Sequence, residues 1–119
     1  MGANSEVLLV LTTAPDLEVA RRLARSLVEC RIAACASLVP GLESHYRWQG
    51  RVESASEVQV LLKTTRERLS ALEAALGEEH PYEVPELLAV PVAGGGAAYL
   101  DWLRDGVAAE PGARGEDGA

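Results

Sequence analysis

The stretch that decides the fold is residues 36–65, with the sequence ASLVPGLESHYRWQGRVESASEVQVLLKTT. Its one strong turn signal is Gln49-Gly50, and alternating apolar and polar residues flank this dipeptide on both sides. Tyr46 and Trp48 share one face of the first arm, because successive side chains of a strand point to opposite faces. The stretch therefore predicts one long β-hairpin, with arms of about 13 residues or roughly 40 Å at ~3.3 Å per residue.

The predicted hairpin is longer than the domain that would carry it. A compact domain of about 100 residues measures roughly 33 Å across, so the hairpin tip should project and carry Tyr46 and Trp48 away from the protomer's own core. Large exposed aromatic residues mark interaction surfaces. Pro40-Gly41 predicts a bend or bulge that shortens the first arm somewhat. We therefore expect the hairpin to serve oligomerisation between copies of this chain.

The order of predicted elements gives the fold class. A strand (7–12) and an amphipathic helix (19–28) precede the hairpin; a helix capped by Thr65, a short strand (87–92) and a terminal helix (97–107) follow it. The order β-α-β-β-α-β with a short C-terminal helix predicts an α+β, ferredoxin-like domain with an antiparallel sheet. Right-handed crossovers place both main helices on one face of that sheet. The other face also carries apolar residues, so we expect copies of the chain to bury it.

Helix caps and composition set the expected boundaries. Thr13 and Asp16 are both candidate N-caps of the first helix, and the sequence does not choose between them. The folded domain is expected to span residues 6–107. A short polar tail at 1–5 and a tail rich in Pro, Gly and acidic residues at 108–119 are expected to be disordered.

Composition and charge restrict the class of partner. The chain has 119 residues and a formal net charge of −7, so nucleic acid is not an expected partner. No apolar stretch is long enough for a membrane-spanning helix, and the run at 7–11 lacks the basic flank of a signal peptide. Cys30 and Cys35 match neither a disulfide framework nor a CxxC site, which predicts a reduced, cytoplasmic protein.

The sequence carries none of the common catalytic motifs. It has no GxSxG, P-loop or HExxH. Neither cysteine has a neighbour that would make it the nucleophile of a nucleophile-base pair, and neither histidine is marked as a base. We therefore expect a protein that is not an enzyme.

His80 is the candidate metal ligand. It follows Glu79 and opens a segment, 80–86, that contains two prolines and cannot be regular structure. An imidazole beside a carboxylate suits a borderline divalent cation such as copper or zinc. One histidine with loose carboxylates is an incomplete ligand set, so on these residues alone a structural role for His80 is the favoured interpretation.

Several segments taken together resemble the CutA family, the divalent-cation tolerance proteins. In unbroken order from residue 7 to about residue 107 they are TTAPD, RIAACASLVPG, YRWQGRVE, SEVQVLLKTT, HPYEVPELLAVPV and YLDWL. The resemblance implies a ferredoxin-like protomer in a tight homotrimer, similar in architecture to the PII signalling proteins. It also implies copper binding and a role in metal tolerance.

The resemblance extends to a set of copper ligands. The family's proposed ligands are a cysteine at the end of the first strand and two consecutive histidines before Pro-Tyr. Here Thr12, Glu79 and His80 stand at those positions, and only His80 matches. The missing thiolate is the ligand that best suits Cu(I), so we expect copper or another divalent cation to bind weakly.

A second candidate site is a pocket between subunits. The family-like polar and aromatic residues that could line it are Trp48, Lys63, Tyr82, Glu83 and Glu86. A packing role at the interface explains Trp48 and Tyr82 equally well. We interpret the chain as a cytoplasmic, homotrimeric, non-catalytic CutA-like protein whose partner is itself. The alternative is a PII-like sensor that binds a small molecule or an anion at subunit clefts.

Overall fold

The computed structural model describes residues 5–108. The elements in chain order are β1 (Val7–Ala14), α1 (Leu17–Glu29), β2 (Cys35–Trp48), β3 (Arg51–Thr65), a 3₁₀ turn (Arg66–Arg68), α2 (Leu69–Glu79), β4 (Leu88–Pro91) and α3 (Ala97–Val107). The strands form one antiparallel sheet in the order β2-β3-β1-β4. Each β-α-β unit is thus split by a strand of the other unit, and the predicted α+β, ferredoxin-like fold is confirmed.

One face of the sheet forms the core with α1 and α2. Alternation along β1 and β3 sends every second side chain to this face. The buried pairs are Leu8 with Thr64, Val10 with Leu62, Thr12 with Val60 and Ala14 with Val58. The helices cover them with Ala20, Leu23, Leu27, Leu72 and Leu76. Burial of a leucine or valine side chain contributes ~1.5–3 kcal/mol, so this layer supplies most of the domain's stability.

The opposite face of the sheet is only partly covered in one chain. Helix α3 lies on it, since Lys63, which points away from the core, donates a hydrogen bond to Tyr99 Oη over 3.1 Å. Three large apolar side chains on this face stay exposed: Val39, Leu88 and Val90. We call this surface the helix-poor face.

The hairpin is as long as its sequence predicts. Strand β2 has 14 residues and β3 has 15, and the longest dimension of the molecule is 49 Å. Gln49 and Gly50 join the strands with φ values of 51° and 79°, the two positive angles of a type I′ turn. Strand β1 ends opposite Val58, so the rest of the hairpin projects without a further strand beside it in the described chain. Tyr46 and Trp48 are exposed near its tip.

Pro40-Gly41 forms a β-bulge in the first arm. The register passes from Val39 opposite Gln59 to Leu42 opposite Glu57, so two residues of β2 oppose a single residue of β3. Gly41 has a φ of 85°, which glycine adopts without a steric penalty. The bulge shifts the alternation by one position and places Leu42 on the same side of the sheet as Val39.

The structure decides between the two candidate N-caps of α1 and corrects the predicted N-cap of α2. Asp16 is the N-cap of α1, since its Oδ1 accepts the N–H of Val19 over 2.9 Å. The prediction that Thr65 caps α2 is wrong, because its side chain makes no cap hydrogen bond. Thr65 still pairs with Val7 at the end of the sheet, and the 3₁₀ turn intervenes before α2 begins at Leu69.

The first and last described residues are held to the domain. Arg104 Nε donates to the carbonyl oxygen of Ser5 over 2.9 Å, and Arg31 Nε donates to that of Ala108 over 3.3 Å. Both residues belong to the predicted tails, yet their backbones contact the folded part. The remainder of those tails, 1–4 and 109–119, lies outside the described residues.

Candidate functional site

His80 lies at the C-terminal end of α2 and is 7% exposed. Its Nε2 donates to the carbonyl oxygen of Thr13 over 2.6 Å, and its Nδ1 accepts the N–H of Tyr82 over 3.1 Å. A neutral imidazole has one N–H and one free lone pair. Because a carbonyl only accepts and a backbone N–H only donates, the two contacts define the Nε2–H tautomer and use both ring nitrogens.

The three positions that correspond to the family's copper ligands do not form a copper centre. Thr12 has no thiolate, and its buried Oγ1 has no hydrogen-bond partner among the described residues. Glu79 Oε2 accepts from Ser26 Oγ over 3.2 Å. Within residues 5–108, no three His, Cys, Asp or Glu side chains are grouped as a metal site. Of the family's copper ligands only His80 is present, and a copper ion there would have to displace the carbonyl of Thr13 or the N–H of Tyr82.

Tyr82, Glu57 and Glu86 come together where β1 ends and β3 continues into the hairpin. Tyr82 Oη donates to Glu57 Oε2 over 2.7 Å, and the centroids of the Tyr82 and His80 rings are 4.7 Å apart. Glu57 immediately precedes Val58, the first residue of β3 that pairs with β1, and points to the helix-poor face. We call these three residues the Glu57 cluster.

The Glu57 cluster perturbs the acid-base behaviour of its own members. Burial raises the pKa of Tyr82, and its hydrogen bond to the Glu57 carboxylate and the charge of that carboxylate raise it further. Glu86 is exposed as a residue, yet partial burial of its carboxyl group raises its pKa, and the neighbouring charge of Glu57 adds to this effect. Two carboxyl groups that repel each other favour a proton or a cation between them.

The other residues of the predicted pocket lie elsewhere in the protomer. Lys63 and the hairpin tip with Trp48 are each about 20 Å from Glu57 along β3, in opposite directions, at ~3.3 Å per residue. The hydrogen bond to Tyr99 raises the pKa of Lys63, which partial burial opposes. Glu83 and Glu86 are both exposed, but only Glu86 has a pKa that is raised by the charge of Glu57. Of the five predicted residues, one chain therefore brings Tyr82 and Glu86 to Glu57.

Glu57 is the site residue that sequence reasoning missed. It occupies an ordinary polar position in the alternating pattern of β3, beside Ser56 and Val58. It is 25 positions from Tyr82 in sequence, and only the crossing of segment 80–86 over the end of β1 brings the two together. No local pattern of the chain marks such a contact.

Comparison with known proteins identifies the family. The family profile described as CutA1 divalent ion tolerance protein matches residues 8–106. The chain belongs to this family. The divalent-cation tolerance protein CutA of Pectobacterium atrosepticum is 49% identical over 98 residues, which cover 82% of this chain and 89% of that protein. The solved structure of Cut A1 from Thermus thermophilus has a TM-score of 0.84 and 48% identity, covering 86% of this chain and 99% of that chain.

The CutA1 family is named for tolerance of divalent cations and not for a reaction. One solved member, CutA from Archaeoglobus fulgidus, is described as a periplasmic divalent cation tolerance protein. It has 32% identity and a TM-score of 0.83, and the match covers 86% of this chain and 99% of that chain. Membership of CutA1 therefore does not fix the compartment. Among residues 5–108, no helix is both long and apolar enough to cross a bilayer.

Proposed function

We propose that this CutA1-family chain is a non-catalytic homotrimer that binds a divalent cation weakly at the Glu57 cluster. The observation that carries the proposal is the 2.7 Å hydrogen bond between Tyr82 and Glu57, with Glu86 close enough for its pKa to respond to Glu57. Carboxylate and other oxygen ligands suit magnesium, calcium and manganese. A cation between the carboxylates also relieves their repulsion.

The cluster supplies too few ligands for tight binding by one chain. Glu57 and Glu86 are its only carboxylates, so water or a neighbouring subunit has to complete the coordination. A cleft between subunits also allows Trp48 and Lys63 of another copy to approach Tyr82 and Glu86. This is how the five residues of the predicted pocket would meet.

Self-association is supported by what one chain leaves open. The helix-poor face exposes Val39, Leu88 and Val90, and the projecting hairpin exposes Tyr46 and Trp48. Strands β2 and β4 are the sheet edges, and each lacks a second strand partner in the described chain. Copies of the chain would cover both the apolar surface and these edges.

For copper we propose weak binding only. His80 is the one family ligand present, and a copper ion would have to break one of its two hydrogen bonds. Thr12→Cys combined with Glu79→His restores the thiolate and the second imidazole. This double variant should bind copper more than tenfold more tightly than the parent, which corresponds to ~1.4 kcal/mol or more. Tight copper binding by the parent in calorimetry would contradict the proposal.

Manganese titration by calorimetry tests the cation site. Glu57→Gln and Glu86→Gln should each lower manganese affinity at least tenfold, because each removes a ligand. Glu83→Gln is the matched control, since it makes the same charge change three residues before Glu86 at a carboxylate that is not part of the Glu57 cluster. If all three variants bind like the parent, the Glu57 cluster is not the site.

The pH dependence of manganese binding follows from Glu86. A protonated carboxyl group does not bind a cation, and burial and Glu57 raise the pKa of Glu86 above its usual ~4.3. Manganese affinity should therefore begin to fall, as the pH is lowered, above the ordinary carboxyl range. The Glu86→Gln variant should lose this part of the pH profile. An affinity that stays flat until the ordinary carboxyl range would contradict the role of Glu86.

An organic anion is the second candidate ligand. It is favoured by a cavity of about 430 Å³ between α1 and β2, lined by Arg21, Ala24, Arg25, Ala36 and Leu38. Two guanidinium groups beside an apolar floor suit a carboxylate or phosphate with an apolar body. A thermal-shift screen of organic anions tests this alternative, with Arg21→Gln compared with Arg22→Gln, which does not line the cavity. Stabilisation of the parent that Arg21→Gln abolishes would favour the sensor function.

The cytoplasm is the proposed location. Cys30 and Cys35 are both free thiols, as expected for a reducing compartment. Cell fractionation with a C-terminal tag tests the location. Recovery with periplasmic marker proteins would contradict it.

A further inference from the structure

His80 has a structural task that neither its family position nor the proposed cation site explains. Its backbone N–H donates to the carbonyl of Leu76 over 2.9 Å and so ends α2. Its side chain holds two further backbone groups, the carbonyl of Thr13 at the end of β1 and the N–H of Tyr82. One residue thus connects the end of a helix, the end of a strand and the start of segment 80–86.

Segment 80–86 needs side-chain support. Pro81 and Pro85 have no backbone N–H, so the segment has few donors of its own and cannot join a helix or a sheet. The bond from the N–H of Tyr82 to the side chain of His80, two residues earlier, has the connectivity of an Asx turn. The imidazole therefore provides a hydrogen bond that the backbone of the segment cannot.

We propose that His80 is a positioning residue. In its neutral Nε2–H form it fixes segment 80–86 against the end of β1, and this places the Tyr82 hydroxyl within hydrogen-bond distance of Glu57. The two hydrogen bonds of the His80 ring fix the backbone of the segment, and the 2.7 Å hydrogen bond from Tyr82 Oη to Glu57 is made by the side chain that this backbone carries. The adjacent Tyr82 and His80 rings, 4.7 Å apart, complete the contact.

The same geometry makes His80 a weak metal ligand. A metal ion binds the nitrogen that carries no proton, which here is Nδ1. That nitrogen already accepts the N–H of Tyr82 over 3.1 Å. A metal at Nδ1 would have to push Tyr82 away and break its contact with Glu57. Metal binding at His80 and an intact Glu57 cluster are therefore mutually exclusive.

Two conservative variants separate the two ring bonds. Asparagine places a carbonyl oxygen near the Nδ1 position and can still accept the N–H of Tyr82. Glutamine reaches further, and its amide nitrogen can still donate to the carbonyl of Thr13. His80→Asn therefore keeps the bond that positions Tyr82, and His80→Gln keeps the other one.

Ultraviolet titration of tyrosine measures the position of Tyr82. The chain has three tyrosines, and Tyr82→Phe identifies the one that ionises latest. Burial and Glu57 raise the pKa of Tyr82, so this ionisation reports on its contact with Glu57. The late ionisation should persist in His80→Asn and move to lower pH in His80→Gln. Equal titration of the parent and both variants would overturn the proposal.

Nitrogen NMR of the histidine rings tests the tautomer and the metal. His45 is the only other histidine; it is exposed and contacts Glu43 over 2.6 Å, so it serves as an internal control. His80 should show a protonated Nε2 and an unprotonated Nδ1, and zinc added to a few equivalents should leave both signals unchanged. A zinc-dependent shift of the His80 Nδ1 signal would overturn the proposal.

The inference does not depend on the proposed cation site. If manganese fails to bind while the tyrosine titration and the nitrogen signals behave as expected, the proposed function fails and the role of His80 stands. If manganese binds at Glu57 while His80→Gln leaves Tyr82 unchanged, the role of His80 fails and the proposed function stands.

Discussion

Thr12 and Thr64 are threonines on neighbouring strands, and both side chains point into the core. Each is 0% exposed. The hydroxyl of Thr64 donates to the carbonyl of Ile32 over 2.6 Å, whereas that of Thr12 has no partner among the described residues. A buried hydroxyl without a hydrogen bond costs ~1–3 kcal/mol, so Thr12 is a local weakness in the core.

Replacing each threonine by valine should have opposite effects. Thr12→Val removes an unsatisfied hydroxyl and keeps the shape, so the free energy of unfolding should rise by about 1 kcal/mol. Thr64→Val leaves the carbonyl of Ile32 without its partner, so the free energy should fall by about 1 kcal/mol. Urea denaturation at one fixed protein concentration measures both. Changes of the same sign in the two variants would contradict this account.

At the residue scale, the sequence predicted candidates but not their contacts. The sequence marks His80 as a candidate and leaves both a structural and a metal-binding interpretation open. Its bond to Thr13 spans 67 positions and the bond of Tyr82 to Glu57 spans 25, and local patterns carry no information about such pairs. Copper binding through His80 stays a prediction.

At the scale of elements, Arg31 closes two helices at once. After α1 it takes a φ of 60°, and its N–H donates to Val28 while the next N–H donates to Leu27, both over 3.0 Å. This is a Schellman motif, in which glycine is the usual residue. The guanidinium group of Arg31 donates to the carbonyl of Asp105 over 2.7 Å and to that of Ala108, at the end of α3. A cation there also complements the helix dipole.

Arg31→Gly should loosen α3 without unfolding the domain. Glycine adopts a positive φ without the conformational cost of ~1 kcal/mol that arginine has there. This gain offsets part of the stability lost with the two guanidinium hydrogen bonds. The backbone amides of residues 99–107 should exchange their hydrogens with solvent faster in Arg31→Gly than in the parent, while the free energy of unfolding changes little. Gln49→Gly is the matched control, because Gln49 is the other non-glycine residue with positive φ among the described residues. Equal exchange of α3 in the parent and in Arg31→Gly would contradict the anchoring role.

Elements with strong local patterns were predicted well. The bounds of α3 agree with the predicted 97–107, and the Gln49-Gly50 turn lies where its dipeptide indicates. Boundaries that depend on sheet pairing were not predictable in the same way. Strand β1 continues to Ala14 because β3 offers Val58 as a partner, and Thr65 remains in the sheet and does not act as a cap.

At the scale of the whole molecule, the projecting hairpin predicts the assembly. Trp48 is 54% exposed at the end farthest from the core, on a molecule of 49 × 31 × 22 Å. If this side chain packs on a neighbouring subunit, as the proposed homotrimer requires, its truncation removes a large aromatic anchor. Light scattering after size exclusion should give the mass of a trimer for the parent. A stable monomer would contradict the assembly.

Trp48→Ala should weaken the trimer and leave each protomer folded. Loss of a buried tryptophan costs ~3–5 kcal/mol at each contact. Sedimentation across a dilution series should show dissociation, and the melting temperature should depend on protein concentration. Trp102→Ala is the comparison, since Trp102 is 52% exposed on α3 and stacks on Tyr99. A Trp48→Ala protein that stays trimeric and melts like the parent at every concentration would show that the tip carries no interface.

Because of the bulge at Pro40-Gly41, the face on which each hairpin side chain lies depends on the number of residues in β2 on either side of it. Strand β2 has one residue more than β3 at this point, and the bulge absorbs it, so the residues on either side keep the pairing of a regular sheet. Deleting Gly41 would remove the extra residue, and Tyr46 and Trp48 would keep their partners and their face. Deleting Ser44 instead would leave the same number of residues but turn Leu42 and Glu43 to the opposite faces. In this part of the chain, the position of an inserted or deleted residue relative to the bulge therefore decides which side chains change face.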